Sequence, residues 1–189
     1  MDLIAYNQTF ENLSFNSNNL QTGEYESCTF LDCDFLNFDF YGFQFTDCQF
    51  ENCNWSSAKI GSLALRNTIF NDCKMMGLQF LLHTDFLFSA EFNHCNLQLS
   101  AFPKMALKKF QFIHCNLREV DFTSANLSEA NFDGCDLLGA TFEQSNLEKA
   151  DFSNAHNYII DPDTNQIKQA KFSSNGLLGL LQKYQITVI

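Results

Sequence analysis

Every fifth residue of this chain is large and apolar. Phe10, Phe15, Leu20, Tyr25, Phe30, Phe35, Phe40, Phe45, Phe50, Trp55, Ile60, Leu65, Phe70, Met75 and Phe80 keep one phase. The phase slips by two residues in LLHTDF (81–86) and resumes at Leu87, running through Phe92, Leu97, Phe102, Leu107, Phe112, Leu117, Phe122, Leu127, Phe132, Leu137, Phe142, Leu147 and Phe152. A period of five is neither a helical stripe nor the two-residue alternation of an ordinary strand. It marks a repeat protein, and the repeat dictates which residue goes where.

Small residues favour the position two before each of these centres: Ala58, Ala90, Ser100, Ala125, Ala130, Ala140, Ser145 and Ala150. All eight cysteines stand there as well, at 28, 33, 48, 53, 73, 95, 115 and 135. Chance would put eight residues in one phase of five roughly once in 10^5 trials, so the repeat controls cysteine placement.

The segment FDGCDLLGATFEQSNLEKADF (132–152) resembles the pentapeptide-repeat proteins, whose unit is approximately A(D/N)LXX, and the resemblance covers about residues 8–172. It implies an all-β fold: a right-handed, quadrilateral β-helix in which four pentapeptides make one 20-residue coil. The centre and the residue two before it would point inward. The sequence supports the 20-residue coil independently, because from Leu97 to Phe152 the centres alternate Leu and Phe, so that residues 20 apart are alike. One column would hold Phe92, Phe112, Phe132, Phe152 and Phe172. If the two extra residues near 81–86 bulge outward, Phe10, Phe30, Phe50 and Phe70 extend it. About eight coils at ~4.8 Å give a rod of ~38 Å. The expected division is a β-helix over 1–172 with the slip at 81–86, and a tail over 173–189 forming a short helix and strand. Large residues at the usually small inner position (Phe38, Phe43, Leu63, Leu78, Met105, Phe110) would either widen the rod or turn outward.

In that frame Cys33, Cys53, Cys73, Cys95, Cys115 and Cys135 form one inward column and Cys28 with Cys48 a second. Their side chains would run parallel rather than converge as a disulfide requires, and no CxxC pair points to a metal. Free thiols acting as small hydrophobes are expected. His94, His114 and Asp72 share an outer column, but three surface ligands at most make a solvated surface the expectation. Nucleophile motifs, HExxH, phosphate loops and dinucleotide fingerprints are absent from the sequence. The Asp and Asn before the centres, such as Asn116, Asp121, Asn126, Asn131, Asp136, Asn146 and Asp151, are suited to backbone groups at coil corners. The expectation is a protein that is not an enzyme, with no catalytic, cofactor or metal site.

With 22 acidic and 11 basic residues the formal charge is -11, which repels nucleic acid and attracts basic surfaces. Residues 1–58 hold nine acids and no Lys or Arg, 59–118 three acids and seven bases, and 119–189 ten acids and four bases. The rod is therefore expected to be negative at both ends and positive at its waist. The start, MDLIAYNQTF, lacks a signal peptide's basic and apolar regions, and no run approaches the ~18 apolar residues of a membrane span. A soluble, cytoplasmic protein with a protein partner is expected, without direct nucleic-acid or membrane binding.

Two partner surfaces are expected. The acids of the N-terminal end, Glu24, Glu26, Asp32, Asp34, Asp39, Asp47 and Glu51, can dock on a basic protein. At the slip, Phe86 and Phe88 flank Leu87 and should face outward beside Leu82 and His83, either as a partner contact or as a loop covering its own apolar residues. Lys104, Lys108 and Lys109 form a basic patch. The tail SSNGLLGLLQKYQITVI leaves the repeat: Ser173 or Ser174 can cap a helix with Leu177, Leu180, Leu181 and Tyr184 on one side, and 186–189 can pair as a strand. It either covers the end of the solenoid only or also presents Leu177, Leu178, Leu181, Ile186 and Val188 to a second copy, and a homodimer is expected. Such a tail resembles that of the Qnr and MfpA pentapeptide-repeat proteins, which dimerise end to end and bind DNA gyrase or topoisomerase IV as duplex mimics, protecting them from quinolones. The resemblance implies a DNA-mimic modulator of a type II topoisomerase; the other reading is a generic interaction scaffold using 81–88 and the Lys104–Lys109 patch.

Overall fold

The computed structural model describes residues 2–15, 20–80 and 88–187. Eleven short strands wind in parallel coils: β1 (Leu3–Tyr6), β2 (Thr9–Glu11), β3 (Glu24–Glu26), β4 (Thr29–Leu31), β5 (Gln44–Thr46), β6 (Gln49–Glu51), β7 (Ala64–Asn71), β8 (Phe88–Asn93), β9 (Phe112–Ile113), β10 (Asp151–Phe152) and β11 (Lys171–Phe172). Pairing steps by 20 residues, as in Phe10↔Phe30↔Phe50↔Phe70 and Phe152↔Phe172. The chain is thus a parallel β-solenoid of about eight turns with one short C-terminal helix.

Each coil has four sides, named here by their centres: first (Tyr25, Phe45), second (Phe30, Phe50), third (Phe35, Trp55) and fourth (Phe40, Ile60). Corners fall two residues after a centre, where Asn7, Asn12, Asp32, Asp47, Asn52, Asn67, Asp72, His94 and His114 take φ of about +50°; Asn and Asp tolerate this region best. The Asp and Asn just before the centres do the work expected of them. Asp34, Asn96, Asn116, Asp121, Asn126, Asn131, Asp136, Asn146 and Asp151 each accept from the amide two residues on, at 2.8–3.2 Å.

The core is a set of ladders. Phe10, Phe30, Phe50, Phe70, Phe92, Phe112, Phe132, Phe152 and Phe172 stack in one column with centroids 4.6–5.8 Å apart. The two-residue slip leaves it unbroken, since from Phe70↔Phe92 the register is 22 residues for one coil and then returns to 20. All six large residues at small inner positions are buried. None turns outward. In the N-terminal half the bulk of Phe38 and Phe43 on two sides is offset by the small Cys48 and Cys53 on the others, which keeps the packed volume near constant.

All eight cysteines are free and buried. Those of the long column donate to the carbonyl of the centre one coil earlier: Cys53 to Phe30, Cys73 to Phe50, Cys95 to Phe70, Cys115 to Phe92 and Cys135 to Phe112, at 3.2–3.4 Å. Thr68, Ser100 and Ser145 occupy equivalent inner positions and bond Phe45, Met75 and Phe122 in the same way. Burial pushes the Cys48 thiol up to about 12, and contact with Cys135, then burial, pushes Cys115 well above the ordinary thiol value. Both shifts keep the Cys48 and Cys115 thiols protonated, as donors. Cys115→Ser, which keeps the bond, is expected to cost less than about 1.5 kcal/mol, against about 1–3 for the overpacked Cys115→Leu; thermal denaturation of the two variants checks this.

Of the two expected caps, Ser173 holds the turn, its Oγ accepting from Gly176 N at 3.1 Å. The tail departs from expectation in two ways. The helical segment is broken into a 3-10 turn (Asn175–Leu177), α1 (Leu178–Leu181) and a second 3-10 turn (Gln182–Tyr184). That changes the angular spacing, so the four residues expected on one side are split: Leu180 packs on the core while Leu177 and Tyr184 are exposed. Residues 186–187 form no strand, and 188–189 lie outside the described residues. Gly179 lets the helix touch the last coil, because a Cβ there would sit 2.1 Å from the Tyr158 carbonyl.

Lys183 ties the tail to the DPDTNQ turn by bonding Asp161 and Asp163. Its ammonium, then the Asp163 amide, holds the Asp161 carboxyl below its ordinary value, while Asp161, then Asp163, raises Lys183 above its own. Asp161's contribution is therefore complete above the ordinary carboxylate range and lost as pH falls through its lowered value; that of Lys183 persists through neutral pH until the ordinary lysine range is passed. The tail should stay docked at neutral pH and loosen in acid. At pH 7, Lys183→Met is expected to speed exchange of the Ile160 amide, which bonds Gly179 O at 3.1 Å, by roughly two- to five-fold.

Candidate protein-binding surfaces

Folding redistributes charges that are neighbours in sequence. A 20-residue coil spreads any short acidic run around four sides, and the seven N-terminal acids separate accordingly. Glu24 and Glu26 flank Tyr25 on the first side, where Glu24 accepts from the Gln44 amide at 2.5 Å. Asp34 is on the third side, bonded to Asn54 at 2.9 Å, and Asp39 on the fourth, opposite Lys59. Asp47 stands at the corner between first and second sides, bonded to Asn67 at 3.1 Å. Asp32 and Glu51 belong to the second side.

That second side also gathers acids distant in sequence. Glu11 and Glu51 share the column after the phenylalanine ladder, and Asp133 follows in it. Glu91 and Asp151 share the column before the ladder. Asp32 and Asp72 share the next corner. These seven carboxylates run the length of the rod, and sequence reasoning missed Glu11, Asp72, Glu91, Asp133 and Asp151. Counting by 20, with two residues added after the slip, would have found them.

The positive waist does not close into a ring. Lys59 is on the fourth side, Arg66 on the first, Lys74 and Arg118 on the third, with Arg118 2.7 Å from Asp136. Lys108 lies 3.3 Å and Lys109 3.8 Å from Glu129, and the Lys108 contact leads in holding Glu129 below its ordinary value. Lys104 is exposed at the corner between fourth and first sides. Among the described residues the second side carries one Lys or Arg, Lys171, paired with Asp151 at 2.8 Å. Lys109 and Lys149 border it at the preceding corner. His94 and His114 stack at 5.0 Å on its other corner, with His114 leaning over Gly134, where a Cβ would meet its ring at 2.0 Å. Among the described residues no group of three or more His, Cys, Asp or Glu is placed to hold a metal ion.

Phe88 corrects an expectation. It pairs opposite Leu65, one residue later than simple phase predicts, and packs on the core at 5.5 Å from both Phe80 and Phe110. The register shift before Ala90 swings it from the outside to the inside. Phe86, Leu82 and His83 lie outside the described residues. Phe88, Lys108 and Lys109 nonetheless line one depression of about 210 Å³, while Lys104 stands apart from it.

At the C-terminal end a groove of about 520 Å³ is lined by Leu138, Tyr158, Ile159, Leu178, Leu181 and Ile186. Leu178 is 55% and Ile186 57% exposed, an apolar surface of the sort that marks a protein contact. Leu177 is exposed beside it and Val188 falls outside the described residues. No helix among the described residues is long and apolar enough to cross a membrane.

Five-residue sides, left-handed corners and inward ladders of phenylalanine and cysteine define a class, the four-sided parallel β-solenoids. Within it the chain resembles the pentapeptide-repeat proteins, and residues 85–157 match the family model described as the pentapeptide repeat region. Two solved structures share the fold over nearly the whole length. One is trypsin-treated QnrB1, a plasmid-mediated fluoroquinolone resistance protein, at 21% identity and TM-score 0.54 over 98% of this chain and 99% of that one. The other is HetL, a pentapeptide repeat protein involved in heterocyst differentiation regulation from the cyanobacterium Nostoc sp., at 14% identity and TM-score 0.58 over 92% and 89%. No curated protein sequence matches the chain.

Proposed function

We propose that this protein is a non-catalytic, cytoplasmic protein-binding rod that engages a type II topoisomerase by offering its second side in place of DNA. The observation that carries this reading is the band of three adjacent columns holding Glu11, Asp32, Glu51, Asp72, Glu91, Asp133 and Asp151, which among the described residues no unpaired Lys or Arg interrupts. One DNA strand presents ~11 phosphates over ~38 Å at one per 3.4 Å. Seven carboxylates over that length approach one strand rather than the ~22 charges of a duplex, so the second side would replace the strand lying in a basic saddle. Fold likeness to QnrB1 from end to end supports the choice of target. The exposed C-terminal groove would join two copies and lengthen the acidic column.

Gyrase supercoiling, with and without a quinolone, tests the reading. Titrated protein should inhibit the enzyme or protect it from the drug, and the effect should weaken steeply as salt rises, because exposed charges are screened over ~8–10 Å at physiological ionic strength. No effect at micromolar protein would reject the topoisomerase as target. A second reading, a scaffold for another protein, rests on the depression that unites Phe88 with Lys108 and Lys109. Its partner would be lost in Lys108→Ala/Lys109→Ala and retained when the acids of the second side are neutralised.

A further inference from the structure

We propose that the open N-terminal edge of the solenoid takes an extended protein segment bearing lysine or arginine as an added β-strand. The order of the large sheet ends at β1 on one side and β2 on the other, so among the described residues the first coil pairs only with the second. In a parallel ladder alternate residues of a strand serve opposite neighbours. Asn12 N donates to Leu31 O at 3.0 Å and Gln8 O accepts from Thr29 N at 2.9 Å, which aims the Thr9 and Glu11 amides at the unpartnered side. The opposite end is covered by α1, with Gly179 against Tyr158. Among the described residues nothing comparable protects the first coil: β1 reads LIAY and β2 reads TFE, without the lysine or proline that usually blunts an edge. Leu3 and Tyr6 are 54% and 61% exposed beside it.

Charge selects the occupant. Residues 1–58 hold nine carboxylates and no Lys or Arg; Asp2 and Glu11 are exposed on the first coil, and Glu24 and Glu26 follow on the next. A second copy meeting this edge with its own would set like charges against each other. A basic segment gains attraction where the copy meets repulsion. Backbone bonds along the edge supply affinity, and alternate side chains beside Glu11 supply selectivity. The inference shares Glu11 with the second side but rests on the backbone edge of the first coil rather than on the carboxylates along the rod, and it stands whether or not a topoisomerase is the target.

The probe is a fluorescein-labelled peptide, TKVKTKVK, blocked at both ends, with a second peptide carrying Glu for every Lys. By anisotropy the lysine peptide should bind the full chain at least ten-fold more tightly than the glutamate peptide, and at saturation the Thr9 and Glu11 amides should exchange at least ten-fold more slowly by NMR. Thr9→Pro removes an edge donor that the ladder does not use, a substitution edge strands accept. It should weaken binding at least ten-fold with melting unchanged, and Glu11→Lys should weaken it as well. Should Thr9→Pro lower the melting temperature, a lysine peptide N-methylated at alternate residues replaces it and is expected not to bind. Equal binding of both peptides, binding unaffected by Thr9→Pro or N-methylation, unchanged amide exchange, or no binding at about 1 mM peptide would each overturn the inference. So would sedimentation showing that Thr9→Pro converts a dimer to monomer, since the edge would then be filled by a second copy.

Discussion

Phe112→Ala should lower the free energy of unfolding by about 3–5 kcal/mol. The ring is fully buried, stacked between Phe92 at 5.8 Å and Phe132 at 5.4 Å, with Phe102, Phe110 and Phe122 around it at 5.0–5.9 Å. Rigid neighbours on every side leave the cavity little room to collapse. Phe172, the last rung, is half-buried and stacks on Phe152 alone in the column, so Phe172→Ala should cost less than about 2 kcal/mol. Urea denaturation of both variants gives the comparison. Equal losses would show that the ladder is not the main source of stability in the middle of the rod.

Reversing charge along the second side should have the largest functional effect. Glu51→Lys/Asp72→Lys/Glu91→Lys alters three exposed carboxylates on one side. If the protein replaces a DNA strand, inhibition or protection of gyrase should fall on the order of 100-fold at low salt, with a shallower salt dependence. Glu119→Lys/Glu143→Lys/Glu148→Lys makes the same change in net charge on the other three sides and should cost less than about five-fold. Equal losses would mean that total charge, rather than its arrangement along one side, governs the interaction.

Those two variants separate what the sequence shows readily from what it hides. The interior was legible because the centres from Phe10 to Phe172 keep a count of five on either side of a single two-residue slip, and the cysteines keep it too. The acidic column was obscured because proximity in sequence and proximity in space are opposed in a coil: Glu24, Asp34 and Asp39 are close neighbours along the chain yet lie on three different sides, while Glu11 and Glu51 share a column. Phe88 was misplaced for a smaller reason. A period locates an insertion but not the residue that regains the partner strand, and here Phe88 rather than Leu87 stands opposite Leu65. In the tail, the hydrophobic pattern assumed one continuous helix, and two 3-10 turns shift Leu177 and Tyr184 away from the core.

Most of the inner thiols and hydroxyls point one way. Cys53, Thr68, Cys73, Ser100, Cys115 and Ser145 each donate to a carbonyl of the coil before their own. On a ribosome, which delivers the N-terminal end first, every such donor therefore emerges after its acceptor. A growing solenoid can satisfy each buried polar side chain as it closes over it, and chain growth and coil growth run in the same direction.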